Sequence, residues 1–450
     1  MSENSYLDEW YDEDDFYSME HYSTDTLTTL KYCTTGVFES LWPLLSSIII
    51  FTFLQRILLS FDSYLSRKII DFLIGTLGIT FLIYRNVNYS TIAASVIYFI
   101  LSAALIRIFR TYKYLGPAFI LYSLAAICFC QLLFDSSLFL SFRGSIMIMA
   151  MKMISLSFDI HRTEFEDAGF FEMFGYCFNP ATYFFGLFTS FEKYKKAKGF
   201  GAPKDEIRPL LFAAGYFVAS CASVFYGDCL LSLLPEKHVR LNEFREAQSF
   251  RFGHYFVQYF LWSTAILGGL GGHLQTVNAL KIEFPRSMEE IVAYWNIPMH
   301  EFLHRYVYSH TRSINQPFAI GITFLTSALM HGVNFQIAAV LISLGLFGIA
   351  ENAFRRRLAH RLNLCVKSRD CVHCSHRTGN SKAATVITRC INFVFTISNI
   401  ILLIYLGMPF DNDETAQIGY SMQHTLGHWK KWYFIGHLYS LFLLLASFVF

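Results

Sequence analysis

Apolar residues in this chain come in long blocks separated by shorter polar stretches. The blocks run at 37–54, 69–84, 90–106, 114–134, 145–158, 173–191, 209–234, 254–270, 317–350, 384–408 and 433–450. A spanning helix needs about 17–25 apolar residues to cross a hydrocarbon core roughly 30 Å thick. Most blocks fall near that length, and the shorter ones predict half-spans or re-entrant pieces. The pattern therefore predicts an all-α polytopic transmembrane bundle of about 10–12 membrane segments, some of them broken.

One block is awkward. As a single helix, Pro317 to Ala350 would be about 51 Å long at 1.5 Å per residue, too long for one upright crossing. The polar patch "HGVNFQ" (331–336) divides it into two apolar pieces of about 21 Å, each too short to cross alone. His331 thus lies at membrane depth, at a break or in the middle of a tilted helix.

Composition agrees with the pattern. Apolar residues make up 54% of the 450-residue chain, aromatics 18% (47 of them Phe) and charged residues only 16%. Soluble globular domains carry roughly a quarter charged residues. The first 26 residues hold many carboxylates and no Lys or Arg, so they lack the basic n-region of a signal peptide. Residues 1–30 read as an acidic disordered tail and 31–450 as one membrane domain, without internal repeats or linkers. Net charge is +2, and no basic patch interleaved with aromatics points to nucleic acid.

Two stretches, 192–208 and 355–369, are strongly basic and belong on the cytosolic side by the positive-inside rule. Between them 209–234 and 254–270 form two crossings, returning the chain to the cytosol near residue 272. The block 317–350 then either enters and leaves on one side, or crosses once after another crossing through 288–308.

The ten Cys are scattered, several within apolar runs, where a thiol behaves as a small hydrophobe. No disulfide framework is predicted. Cys365, Cys371, Cys374 and His376 form a C-x5-C-x2-C-x-H array in a basic loop. It admits two readings, a structural metal cluster or reduced, lipid-modifiable thiols. No metal ligand set is assigned.

Of the fifteen His, three fall in apolar runs: His254, His331 and His437. His254 and His437 stand near run ends beside aromatics, as interfacial anchors or satisfied core rings do. His331 is deeper. Ser327 lies one turn earlier on the same helical face, and Gly332 and Ala328 remove bulk beside the ring. This is the composition of a cavity wall, although an imidazole bonded to a nearby carbonyl is the purely structural alternative. Upstream, "FPRSMEEIVAYWNIPMHEFLHRYVY" (284–308) mixes polar and apolar residues, as a segment lining a cleft would. Pro298 predicts a turn just after Trp295 and Asn296, and the amide there could orient His331 or a substrate carbonyl.

The "W-N-x-P" segment, followed 35 residues after its Asn by "S-A-L-x-H-G" in an apolar stretch, resembles the membrane-bound O-acyltransferase family. Within it, the chain is most similar to the branch that modifies Wnt proteins. Further stretches carry the likeness: "MIMAMKMISLSFDI" (147–160), "FPRSMEEIVAYWNIPM" (284–299), "SALMHGVNFQIAAVLISL" (327–344), "CVKSRDCVHCSH" (365–376) and "QIGYSMQHTLGHW" (417–429). The resemblance implies that family's fold in the endoplasmic reticulum membrane. It also implies transfer of a palmitoleoyl group from palmitoleoyl-CoA to a serine hydroxyl of a Wnt-family secretory protein, as Wnt secretion and signalling require, with no bound cofactor. The family's catalytic histidine falls on His331 and its asparagine on Asn296. Trp295, Ser327 and Gly332 are expected to contact substrate, and no role is assigned to His304 or Arg305.

A serine hydroxyl is a weak nucleophile and needs a base within about 2.6–3.2 Å, the role expected of His331. Asn296 could donate to the thioester oxygen as charge develops, or orient the ring. Ser327 precedes the His by one turn and is read as wall, so the attacking hydroxyl belongs to the substrate. Acyl-CoA is cytosolic and a secretory serine luminal, which calls for a central tunnel reached from both sides. Two other readings stand beside this one: a family enzyme acting on a small lipid alcohol, and a transporter or lipid-binding receptor using His331 as relay or headgroup contact.

Overall fold

The structure is a computed structural model that describes residues 26–61, 65–85, 87–160, 169–199, 207–234, 239–270, 274–369, 382–411 and 421–449. The described residues contain helices and no strand. Five long helices come first: α1 (Thr26–Ser60), α2 (Arg67–Tyr84), α3 (Tyr89–Ile108), α4 (Leu115–Leu133) and α5 (Ser136–Asp159). Three short ones follow: α6 (Phe170–Cys177), α7 (Pro180–Tyr183) and α8 (Phe191–Gly199). Next come α9 (Ile207–Val224, prolonged by a π turn to Leu230), α10 (Val239–Leu267), α11 (Ala279–Glu283), α12 (Met288–Trp295) and α13 (Ile297–Leu303). The chain ends with α14 (Gln316–Met330), α15 (Phe335–Leu362), α16 (Lys382–Gly407), α17 (Met422–Lys431) and α18 (Ile435–Val449).

Seven of these helices are long and apolar enough to cross a membrane: α1, α3, α4, α5, α9, α15 and α16. The pair α17 and α18, bent by 73°, makes an eighth as a broken span. The three charged residues of α2 all lie in its first two turns, and α10 carries its charges toward its start, yet both pack among the spans. The first helix begins at Thr26, so residues 26–30, read from sequence as the end of the tail, are helical. Leu27 and Leu30 already follow the apolar pattern of the helix behind them. Residues 1–25 lie outside the described residues.

Helix α5 is the centre of the larger core. Every residue from Ile148 to Ser157 is buried, the signature of a helix surrounded by protein on all sides. Its one mid-helix cation, Lys152, is satisfied by the carbonyl of Tyr176 at 2.8 Å and by Thr182 Oγ1 at 2.8 Å, which ties α6 and α7 to it. At its far end Asp159 receives Tyr306 Oη at 2.7 Å and Arg305 Nη2 at 3.2 Å. On the periphery, Leu121, Phe129, Leu132, Phe393 and Val394 are exposed on spanning helices, as a lipid-facing belt must be.

Sidedness follows from two independent features. Cys33, early in α1, is disulfide-bonded to Cys229, at the end of α9. The bond corrects the expectation of no disulfide: its partners are 196 residues apart, so no local spacing announces it. Disulfides persist in oxidising compartments, and this one places the start of α1 and the end of α9 on the non-cytosolic face. Counting crossings from there puts Arg67 and Lys68, Arg107 to Lys113, Lys193 to Lys196 and the 355–369 stretch on the opposite face. These four basic clusters fall on one side, as the positive-inside rule requires, while Arg240 and Arg245 in α10 and Lys430 and Lys431 in α17 lie toward the other.

Helices α14 and α15 form an antiparallel hairpin. A Cβ on Gly345 would lie 2.8 Å from the ring of Phe324, so the two arms pack face to face across the turn. The long apolar block therefore enters and leaves on the cytosolic side. Its first arm has 15 residues, about 23 Å, and its second has 28, about 42 Å. His331 stands at the tip.

Candidate active site

The tip is built by local chemistry. Helix α14 stops at Met330, and the N–H groups of His331 and Gly332 donate back to the carbonyls of Ala328 (3.1 Å) and Leu329 (2.9 Å). Gly332 then takes φ +84°, a region that disfavours any residue with a Cβ. A Cβ there would also stand 2.9 Å from both Gln131 Oε1 and the Phe139 ring. Asn334 starts α15 by accepting the Ile337 N–H at 3.0 Å, an ordinary N-cap. The remaining residue of the break, Val333, is held by Gln131 of α4. That side chain accepts the Val333 N–H at 2.6 Å and donates to its carbonyl at 3.0 Å.

This break lines a cavity of about 520 Å³. His331, Val333, Asn334 and Phe335 form one wall, and Gln131, Phe139 and Arg143 are among those opposite. Gln131 is in the last turn of α4, and Phe139 and Arg143 are in the first two turns of α5. The cavity therefore lies close to the non-cytosolic ends of these helices. The His331 ring is half-buried, and neither of its nitrogens has a hydrogen-bond partner among the described residues. The other two membrane-depth imidazoles behave differently. His254 Nε2 bonds the carbonyl of Trp295 at 2.8 Å; His437 bonds Ser343 Oγ at 3.0 Å and Tyr405 Oη at 2.7 Å. They are satisfied core rings, as their positions in sequence suggested. Arg143 likewise makes no hydrogen bond or ion pair among the described residues, so the cavity contains an open proton acceptor and a guanidinium fork.

Asn296 and Trp295 are positioned by a second construction. Helix α12 is capped by Ser287, whose Oγ accepts the Glu290 N–H at 3.2 Å. Its first N–H, from Met288, donates to buried Glu351 at 2.7 Å. Glu351 also accepts Arg355 Nη1 (2.8 Å) and Asn399 Nδ2 (3.2 Å). Arg355, one of the basic residues of the 355–369 stretch, is thus a buried structural group. The break between α12 and α13 falls on Asn296, whose Oδ1 accepts the Met299 N–H at 3.1 Å and caps α13. Its Nδ2 makes no hydrogen bond among the described residues. Trp295 is stacked against His254, with ring centroids 4.4 Å apart.

Of the residues singled out in the sequence, the structure brings His331 to the cavity, while Gly332 is buried in the turn beside it and does not line it. Ser327 is buried on α14. Trp295, Asn296 and Ser327 are not among the residues lining the cavity. Sequence reasoning missed Gln131 and Arg143. Arg143 left a signal, a lone cation near the start of an apolar block with no acid within a turn. Gln131 left none, because its role depends on a segment 202 positions away. Cys371, Cys374 and His376 lie outside the described residues.

An imidazole with free nitrogens in an accessible cavity can take a proton from a hydroxyl brought within about 3 Å. Comparison with known proteins gives the family of the chain. The sequence model of the membrane-bound O-acyltransferase family matches residues 131–364, from Gln131 through the hairpin tip to the loop after α15. The chain is 35% identical over 329 residues to the protein-serine O-palmitoleoyltransferase porcupine of Mus musculus, covering 66% of this chain and 70% of that protein. The protein of the same name from Homo sapiens is 34% identical over 332 residues, with the same coverage. That from Drosophila melanogaster is 30% identical over 339 residues, 66% of this chain and 62% of that protein. The chain belongs to the membrane-bound O-acyltransferase family.

Proposed function

We propose that this protein transfers a palmitoleoyl group from palmitoleoyl-CoA to a serine hydroxyl of a Wnt-family protein in the endoplasmic reticulum membrane. His331 is the general base and Asn296 assists at the thioester. The single observation that carries the assignment is the His331 ring without a partner in a cavity near the non-cytosolic face. The names of the relatives supply the acyl group and the acceptor class. The acceptor serine enters this cavity, donates its proton to His331, and attacks the thioester carbon. The tetrahedral intermediate then collapses with loss of coenzyme A thiolate, which takes up the proton. Asn296 keeps its Oδ1 on the cap and has its Nδ2 free to donate to the carbonyl oxygen as charge develops.

The test incubates wild type and His331→Ala with labelled palmitoleoyl-CoA and two acceptors, a Wnt-derived serine peptide and long-chain alcohols. General-base assistance is worth about 10²–10⁴ in rate, so the variant should lose transfer by that factor. Label should appear on the peptide alone and resist neutral hydroxylamine, as an oxyester does. Equal labelling by the variant would refute the base assignment, and label on the alcohols alone would favour a small-lipid enzyme of the same family.

A further inference from the structure

A second cluster of ligand-type side chains lies away from this cavity, at the joint between α16 and α17. We infer that Asp411, His424 and His428 form a binding site for a zinc-class divalent cation on the non-cytosolic face. His424 and His428 are one turn apart on α17, whose start is fixed by Ser421 accepting the His424 N–H at 3.2 Å. Asp411 lies four residues beyond the end of α16 and faces both rings. His424 Nε2 stands 3.3 Å from one of its carboxylate oxygens, and His428 Nε2 stands 3.2 Å from the other. One ligand atom from each of the three residues lies within 4.8 Å of the other two.

Two donors each about 2.0–2.2 Å from a shared tetrahedral ion stand roughly 3.3–3.6 Å apart. The two imidazole–carboxylate separations, one to each carboxylate oxygen, are close to that spacing, and all three ligand atoms lie within 4.8 Å of one another. Two histidines at i, i+4 with one carboxylate form a donor set that suits zinc and leaves a fourth position for water. The three side chains are 14–22% exposed, so an ion can reach them from the aqueous face.

The neighbouring contacts accommodate the ion. His424 Nε2 also lies 3.2 Å from the carbonyl of Pro409, and a ring that ligates through Nε2 gives up that contact. Pro409 keeps its second donor, Gln336 Nε2 at 2.7 Å. Gln336 is in the first turn of α15, directly after the hairpin tip. On the other side Phe410 stacks on Phe250 at 4.1 Å, and Phe250 in turn faces Trp295 at 6.2 Å. An ion at Asp411 thus fixes a short strap, Pro409 to Asp411, that touches supports of both His331 and Asn296. The inference does not depend on the acyl-transfer chemistry.

The test uses the full chain purified in detergent, stripped with chelator, titrated with zinc sulfate and desalted. Wild type should retain one zinc per chain and gain thermal stability on loading. Asp411→Asn and His428→Ala should bind at least tenfold more weakly and lose the stability response, while His360→Ala, on the exposed end of α15, behaves as wild type. Asp411→Asn preserves shape and a hydrogen-bond acceptor, so it decides the matter even where His428→Ala does not fold. Wild type that takes up no zinc, or Asp411→Asn that retains zinc undiminished, would overturn the site.

Discussion

A polar ring removed from water without a hydrogen-bond partner costs free energy, and folded proteins rarely leave one so. His254 and His437 commit their rings to protein groups, whereas half-buried His331 turns its nitrogens to the cavity, where they are available to whatever enters. This is the residue-scale case for a substrate hydroxyl at the ring. Asn296 makes a separable prediction, because its two amide atoms do different things. Asn296→Asp keeps a good capping acceptor for the Met299 N–H and removes the donor. It should fold normally and lower kcat by about 10²–10³, the usual loss for one oxyanion donor. Asn296→Ala should show the same loss with reduced thermal stability as well. Activity of Asn296→Asp near wild type would confine the residue to capping. The chain breaks at His331 and Asn296 were legible in the sequence because each residue interrupts a pattern, one an apolar run and the other a helix followed by Pro298. Arg143 and Gln131 interrupt nothing as decisively, and their importance appears only once α4 and α5 lie across from the tip.

At the scale of elements, the hairpin tip is positioned by a clamp that is not part of the chemistry. The two hydrogen bonds from Gln131 to Val333 contribute about 1–3 kcal/mol together, and they hold the left-handed turn at Gly332 against α4. Gln131→Leu removes both while filling similar volume. It should leave the bundle monodisperse and cut kcat by up to about a hundredfold through misplacement of the ring. Full activity in that variant would show that the turn holds itself. The length of the block 317–350 exposed the break but not its geometry, since a tilted crossing and a hairpin share one hydropathy profile. Contact between Phe324 and Gly345 decides for the hairpin. The Cys33–Cys229 bond was illegible for a related reason: pairing of residues 196 positions apart depends on how α1 lies against α9.

At the scale of the whole molecule, the disulfide and the basic clusters fix one orientation. In it the His331 cavity lies toward the non-cytosolic face, while the α12–α13 break that bears Asn296 is reached by a chain segment that starts and ends on the cytosolic side. The proposed reaction needs this arrangement, with acyl-CoA approaching from the cytosol and the protein serine from the lumen. The most direct test uses sealed vesicles containing the protein in native orientation, with serine peptide enclosed and labelled palmitoleoyl-CoA added only outside. Wild type should label the enclosed peptide while the membrane stays intact, and His331→Ala should not. Labelling that requires both substrates on one face, or that persists in the His331 variant, would contradict the account.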